Sequence, residues 1–135
     1  MKNYFLTKDL LLELINGPKT NKEKIVTRLE ELLKKNESLF TSIFTINQIL
    51  ESEPDLEKRK VILRNLNLVL EKVLSLDNGD LPLAISLESE FNISHEMAVE
   101  LVTATKNDMD YILDISERFK FQKMISVIGL ILESK

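Results

Sequence analysis

The chain has 135 residues, of which 44% are hydrophobic and 30% are charged, and its formal net charge is −4. This length is typical of one domain, and the composition is too apolar for a disordered chain and too charged for a membrane-spanning one. The chain has no cysteine, which excludes disulfides, thiolate catalysis and cysteine-ligated metal sites. Near the amino terminus, charged residues precede any apolar stretch of signal-peptide length, so we expect a single cytoplasmic domain over residues 1–135.

The first predicted element is a short helix within residues 1–18. Thr7 is a suitable N-cap, because its side-chain oxygen can accept a hydrogen bond from the first helical turn. The sequence Asn16-Gly17-Pro18 is typical of a helix end, with Gly17 expected in the left-handed conformation.

A regular apolar repeat dominates residues 19–76. From Ile25 to Leu50, positions spaced alternately by four and three residues are apolar except for Asn36, which is the pattern of a coiled-coil seam. The repeat predicts one long helix or two helices separated at Asn36. The stretch Thr41–Ile46 is locally compatible with a strand because it is β-branched, but its spacing continues the helical face.

A second long helix is predicted after Pro54 and extends to about Leu76. Its apolar residues again alternate at spacings of four and three, and a tight proline turn connects it to the preceding helix. Two such helices should pack as an antiparallel helical hairpin over residues 19–76.

Residues 77–135 are predicted to form several shorter helices after the loop Asp77–Asp80. We expect helices at Leu81–Phe91, at His95–Lys106 and at about residues 108–119 and 121–133. The last of these is apolar on nearly every side, which favours burial in the core or in a dimer. The residues expected to mediate self-association are Ile128, Ile131 and Leu132. The predicted fold is therefore all-α, a helical bundle built on a long antiparallel hairpin and closed by shorter carboxyl-terminal helices.

The charge distribution suggests a binding surface. Between Val73 and Glu117 there are ten acidic residues and one basic residue, Lys106. Such a region favours a protein partner with a basic surface and repels nucleic acid, although acidic helices also simply promote solubility. The predicted partner-binding residues are Asp80, Glu88, Glu90, Glu96, Glu100, Asp108, Asp110 and Asp114.

The hydrophobic spacing of Ser86–Val102 resembles that of a helix-turn-helix, with Asn92 at the turn and Ser94 opening the recognition helix. This resemblance implies a DNA-binding regulator. The recognition helix would present Glu96 and Glu100 to the groove, whereas DNA binding depends on positive charge. Extended to Leu113, the same segment looks like a three-helix ubiquitin-associated domain, which implies binding of a peptide or of a ubiquitin-like protein.

One basic cluster provides an alternative site for DNA. It lies at the start of the helix after Pro54, where an Asp55–Arg59 pair also favours a solvated helix surface. The residues of this cluster are Lys58, Arg59, Lys60 and Arg64.

No catalytic, cofactor-binding or metal-binding residue is predicted. Asp77 and Glu88 have the spacing of the ends of an EF-hand loop, but Pro82 stands where that loop needs glycine. His95 is the single histidine, so multi-histidine metal sites are excluded. We therefore predict a non-enzymatic protein–protein interaction module, either a regulator, an adaptor or an inhibitor. A helix-turn-helix regulator and an enzyme of unrecognised type are the alternatives.

Overall fold

The computed structural model describes residues 1–130, and these form an α/β fold rather than the predicted all-α bundle. The strands are β1 (Asn3–Leu6), β2 (Ser38–Ser42), β3 (Lys72–Leu74), β4 (Tyr111–Asp114) and β5 (Ser126–Gly129). The helices are α1 (Lys8–Asn16), α2 (Lys19–Lys34), α3 (Ile43–Glu51), α4 (Leu56–Val69), α5 (Leu81–Phe91) and α6 (His95–Lys106).

All five strands are parallel, and they lie in the order β3-β2-β1-β4-β5. The chain moves from β1 outward to β3 through α1 to α4, and then returns across the sheet through α5 and α6 to pair β4 with β1. The connections after β1 and before β4 therefore diverge to opposite faces of the sheet. In sheets of this kind, the crevice at such a switch point, outside the carboxyl ends of the strands, is where ligands usually bind.

Two apolar cores sandwich the sheet. Leu6, Leu39 and Leu113 pack with α1 to α4 on one face, and Phe5 and Ile112 pack with α5 and α6 on the other. The central strands are thus buried on both faces, as is usual for parallel sheets flanked by helices.

The predicted helical hairpin, and with it the coiled coil, is wrong. Helix α2 ends at Lys34, Asn36 adopts a left-handed conformation with a φ of 62°, and the chain then enters β2. The alternative of two helices separated at Asn36 is also wrong, because the strand β2 lies between α2 and α3. The apolar repeat continues past Asn36 in the sequence because α2, β2 and α3 each contribute buried apolar residues. The second predicted helix is also interrupted, since α4 ends at Val69 and β3 occupies Lys72–Leu74.

The two helices predicted after Lys106 are wrong as well. Asp108 has a φ of 57°, which ends the helical path, and the following apolar residues form β4 at the centre of the sheet. Ser126–Gly129 forms the edge strand β5, where a buried helix was predicted. Ile131 and Leu132 lie outside the described residues.

Three helix predictions are confirmed. Thr7 caps α1, because its Oγ1 accepts a hydrogen bond of 3.3 Å from Leu10 N. The predicted bounds of α5 and α6 match the structure, and Ser94 caps α6. Gly17, in contrast, is not left-handed, with a φ of −74°. Glycine is required there because an added Cβ would lie 2.5 Å from Glu13 O.

Neither resemblance describes the fold. The seven residues 98–104 of α6 are all buried, so this helix is a layer of the core and is not free to enter a DNA groove. The third helix of a ubiquitin-associated domain is replaced by β4. Among residues 1–130, no helix has the length and apolar character needed to cross a membrane.

Candidate functional site

Polar side chains fill the crevice at the switch point between β1 and β4. Thr7 follows β1 directly and Asp114 is the last residue of β4, so parallel pairing brings them to the same edge of the sheet. Thr7 Oγ1 donates a hydrogen bond of 2.6 Å to Asp114 Oδ1, and both residues are fully buried. We call this the switch-point crevice, and define it by Thr7, Lys8, Asp9, Gln48, Glu96, Glu100, Asp114 and Arg118.

Arg118 is the central cation of the crevice. Its Nε donates a hydrogen bond of 2.9 Å to Asp114 Oδ2, while Nη1 lies 3.4 Å from Asp9 Oδ2 and Nη2 lies 3.7 Å from Glu100 Oε1. The guanidinium carbon also lies 4.8 Å from the centre of the Phe119 ring, a cation–π contact that supports it. One side chain therefore contacts carboxylates from α1, α6 and β4.

Lys8 supplies the second cation. Its Nζ lies 3.0 Å from Glu96 Oε1, and its backbone N–H donates a hydrogen bond of 3.2 Å to Glu100 Oε2. Gln48 Nε2, from α3, donates to Glu96 Oε2 at 3.3 Å. Glu96 is thus held by a lysine and an amide, and α1, α3 and α6 are joined through it.

Burial dominates the electrostatics of Glu100. Its side chain is fully buried, and desolvation raises its pKa to about 8, although the charge of Arg118 and the hydrogen bond from Lys8 N oppose this rise. The charges of Asp114 and Glu96 raise the pKa further. Glu100 is therefore mostly protonated at neutral pH.

The pKa of Arg118 is also raised, but by neighbouring carboxylates and not by burial. Burial disfavours its charge, but Asp114 outweighs that effect through its charge and its hydrogen bond, with Glu100 and Asp9 contributing. Arg118 therefore stays charged. The two cations, Arg118 and Lys8, thus lie among four carboxyl groups of which Glu100 is mainly neutral, so the charges of the crevice largely compensate one another. Among the described residues, no group of three or more histidines or acidic residues is placed to hold a metal ion. The expected absence of a metal and a cofactor stays a prediction.

A second feature is an open apolar groove of about 420 Å³ between α1, α2 and α4. Its floor includes Leu29 and Leu66, which are 4% and 3% exposed, and its rim includes Val26 and Leu33, each 40% exposed. We call it the α4 groove, and it is lined by Leu14, Ile15, Val26, Leu29, Glu30, Leu33, Ile62, Asn65, Leu66 and Val69.

The predicted acidic binding residues do not form one surface. Glu100 and Asp114 are buried in the crevice, and Glu96 is paired there with Lys8. Asp110 lies at the opposite edge of the sheet, where its Oδ2 accepts a hydrogen bond of 2.8 Å from Asn3 N. Asp108 is exposed near the same edge.

The other three acidic residues lie on or next to α5. Asp80 pairs with Lys106, which lowers the pKa of Asp80 mainly through their hydrogen bond. Glu88 Oε2 lies 2.8 Å from His95 Nδ1, and Glu90 is exposed. Binding of a partner to these residues stays a prediction.

Two further predicted surfaces can be placed. Lys58, Lys60 and Arg64 are exposed on α4 while Arg59 is partly buried, so the basic cluster lies on one helix as expected. Ile128 is partly buried in the edge strand β5 and packs against the core that includes Leu113. Self-association through Ile128 stays a prediction.

Sequence reasoning missed most of the crevice. Lys8, Asp9, Gln48 and Arg118 were not singled out, because they are separated in sequence and no local pattern connects them. A usable signal was present, since Thr7 and Asp114 each directly follow a short apolar stretch, as polar residues at the carboxyl ends of buried parallel strands do.

A scan against protein-family models and a search of curated proteins each found no match. The fold, however, is similar to solved structures. The VapBC2 structure from Rickettsia felis, bound to a DNA fragment from its promoter, has a TM-score of 0.71 at 15% identity, covering 94% of this chain and 98% of that chain. FitAcB from Neisseria gonorrhoeae has a TM-score of 0.67 at 14% identity, covering 94% and 97%. A toxin–antitoxin complex from Klebsiella pneumoniae has a TM-score of 0.67 at 11% identity, covering 94% and 97%.

Proposed function

We propose that this chain is a non-catalytic component of a two-protein complex of the toxin–antitoxin kind, and that it binds its partner in the α4 groove. The observation that carries the proposal is this groove, in which eight of ten lining residues are apolar. Its size lies in the range of known binding pockets, and grooves between helices commonly receive the apolar face of an amphipathic helix.

The packing of α4 supports the proposal. Of its fourteen residues only Leu66 is buried, and the other apolar residues that α4 contributes to the groove, Ile62 and Val69, are only partly buried. A helix so weakly covered by its own chain gains apolar burial when a second protein packs beside it. The partner segment expected here is an amphipathic helix that inserts aliphatic side chains between α2 and α4.

A charged residue in the groove predicts a residue of opposite charge on the partner segment. Among the described residues, Glu30 is the one ionisable residue that lines the groove, beside the polar Asn65. A lysine or arginine on the partner helix would compensate Glu30 without requiring another anion. The sequence also predicted a partner with a basic surface. That prediction placed the binding site on the acidic helices, whereas Glu30 lies in the α4 groove.

Two comparisons support a binding role without assigning it. One structural neighbour is a toxin–antitoxin complex, and another is bound to a promoter fragment. The neutralised switch-point crevice also argues against catalysis, since its carboxylates are engaged by Arg118 and Lys8. Cytoplasmic location and dimer formation remain part of the same proposal.

The test introduces charge on the groove rim. Val26→Asp and Leu33→Asp change exposed positions on α2, so both variants should fold, which circular dichroism would check. Affinity capture from a native lysate, followed by expression of the captured protein, provides the partner for titration. Each variant should weaken binding roughly 30- to 100-fold, as expected for burying an unpaired charge in an interface.

Ile85→Asp is the matched control, because Ile85 is 60% exposed on α5, across the sheet from the groove. It should bind the partner as the parent does. Retained binding by both rim variants, or loss on Ile85→Asp alone, would contradict the proposed groove. A captured nucleic acid in place of a protein would contradict the proposed class of partner.

A further inference from the structure

Four carboxylates converge on the switch-point crevice from three elements. Asp9 comes from the first turn of α1, Glu96 and Glu100 from α6, and Asp114 from the end of β4. Carboxylate groups collected in this way at a strand edge resemble the oxygen ligands that Mg²⁺ and Mn²⁺ prefer. Acidic side chains gathered in this way need compensating positive charge.

Arg118 occupies the position between three of them. The guanidinium nitrogens lie 2.9 Å from Asp114 Oδ2, 3.4 Å from Asp9 Oδ2 and 3.7 Å from Glu100 Oε1. Glu100 Oε1 and Arg118 Nη2 are both buried, and neither has a hydrogen-bond partner among the described residues. The two atoms lie 3.7 Å apart, at ion-pair distance, so each is the charged contact of the other.

The fourth carboxylate is engaged separately. Both oxygens of Glu96 lie near Lys8 Nζ, at 3.0 and 3.1 Å, and Gln48 Nε2 donates to one of them. The hydrogen-bond donors Lys8 and Gln48 therefore already contact the Glu96 oxygens that would ligate a metal ion.

We propose that Arg118 and Lys8 are resident cations, which take the place of a divalent metal ion among these four carboxylates and keep the crevice free of metal. A divalent cation must approach carboxylate oxygens to within about 2.0–2.6 Å, and the guanidinium and ammonium groups both block that approach and repel the ion. The crevice is thus a structural clamp between α1, α3, α6 and β4. This inference does not depend on the α4 groove.

The test uses Mn²⁺ alone as the probe, with binding measured by calorimetry and by paramagnetic broadening of backbone amide signals. The parent protein should show no binding at millimolar Mn²⁺ in the crevice. The double variant Arg118→Gln with Lys8→Met should bind Mn²⁺ at least 100-fold more tightly, with broadening centred on residues 7–9, 96–100 and 114. Adding Asp114→Asn should abolish the gain.

Lys106→Met is the matched control. It also removes a cation beside two carboxylates, since Lys106 Nζ contacts Asp77 and Asp80, but at an exposed position outside the crevice. It should gain no Mn²⁺ affinity.

Each result decides the proposal. Crevice broadening in the parent at millimolar Mn²⁺ or below would overturn it, as would a folded double variant that binds no better than the parent. Arg118→Gln keeps an amide donor for Asp114, which favours folding. If the double variant is unfolded without metal, Mn²⁺ should restore the fold, and failure to restore it would also overturn the proposal.

Discussion

Thr7 and Asp114 are joined at the carboxyl edge of the sheet by a hydrogen bond of 2.6 Å between Thr7 Oγ1 and Asp114 Oδ1. The same Oγ1 accepts the capping hydrogen bond from Leu10 N. One hydroxyl group therefore connects the last residue of β4 to the first turn of α1. It couples the strand pair at the switch point to the helix that forms part of the α4 groove.

Thr7→Val should destabilise the protein. Valine has the shape of threonine but removes both the cap and the hydrogen bond to a buried carboxylate, so we expect a loss of about 2–4 kcal/mol. The free energy of unfolding in urea measures it. Thr27→Val is the control, because Thr27 is exposed in the middle of α2, and it should change stability by less than about 0.5 kcal/mol. Equal effects of the two substitutions would argue against the role of the hydroxyl.

Glu100 should make stability depend on pH. Its pKa is about 8 in the folded protein and near 4.5 in the unfolded chain, so between these values the folded state binds the additional proton. Stability from this group is therefore greatest below about pH 5 and falls as the pH rises towards 8, by at most about 1.4 kcal/mol per pH unit.

Glu100→Gln should remove that dependence. We expect the variant to gain stability relative to the parent as the pH increases from 5 to 8, measured by urea unfolding at each pH. Glu90→Gln, at an exposed position of α5, should leave the parent profile unchanged. A parent and a Glu100→Gln profile that run parallel would show that Glu100 does not titrate in this range.

Asn36→Ala distinguishes the observed turn from a continuous helix. Asn36 has a φ of 62°, which alanine tolerates poorly, so the variant should lose about 1 kcal/mol of stability. Asn36→Gly should be close to neutral. Asn47→Ala, at an exposed position within α3, should instead be neutral or slightly stabilising because alanine favours helix. Stabilisation by Asn36→Ala would indicate a helical path through residue 36.

Two leucines of α4 should respond very differently to truncation. Leu66 is 3% exposed and contributes to the core, so Leu66→Ala should cost about 2–4 kcal/mol. Leu68 is 79% exposed, and Leu68→Ala should change the free energy of unfolding by less than about 0.5 kcal/mol. Urea denaturation of the pair measures the difference. A large loss on Leu68→Ala would indicate that α4 packs through its other side.

Local capping signals were sufficient to locate three helices. Thr7 and Ser94 are N-caps whose side-chain oxygens accept hydrogen bonds within the first turn, and this chemistry depends on neighbouring residues alone. The same is true of Asn92, whose left-handed conformation ends α5. The sequence by itself therefore determined α1, α5 and α6.

The strands were decided by tertiary structure. Tyr4, Phe5 and Leu6 are buried on both faces of the sheet, so β1 lacks the alternation of apolar and polar residues that marks a strand with one solvated face. An uninterrupted apolar stretch of this length is equally compatible with a buried helix. Helical spacing therefore assigned β2 to a helix, and the polar residues 107–110 were interpreted as the start of another helix where β4 lies.

The crevice and the groove were decided in the same way. Arg118 contacts Asp9 and Glu100 only because the return of the chain across the sheet places β4 beside β1. The spacing of these residues along the chain does not indicate that β4 pairs with β1. Composition and local chemistry determined which segments could be helical and that the protein lacks cysteine chemistry. The order of the strands alone determined which charges would meet, because parallel pairing joins segments that are distant in sequence.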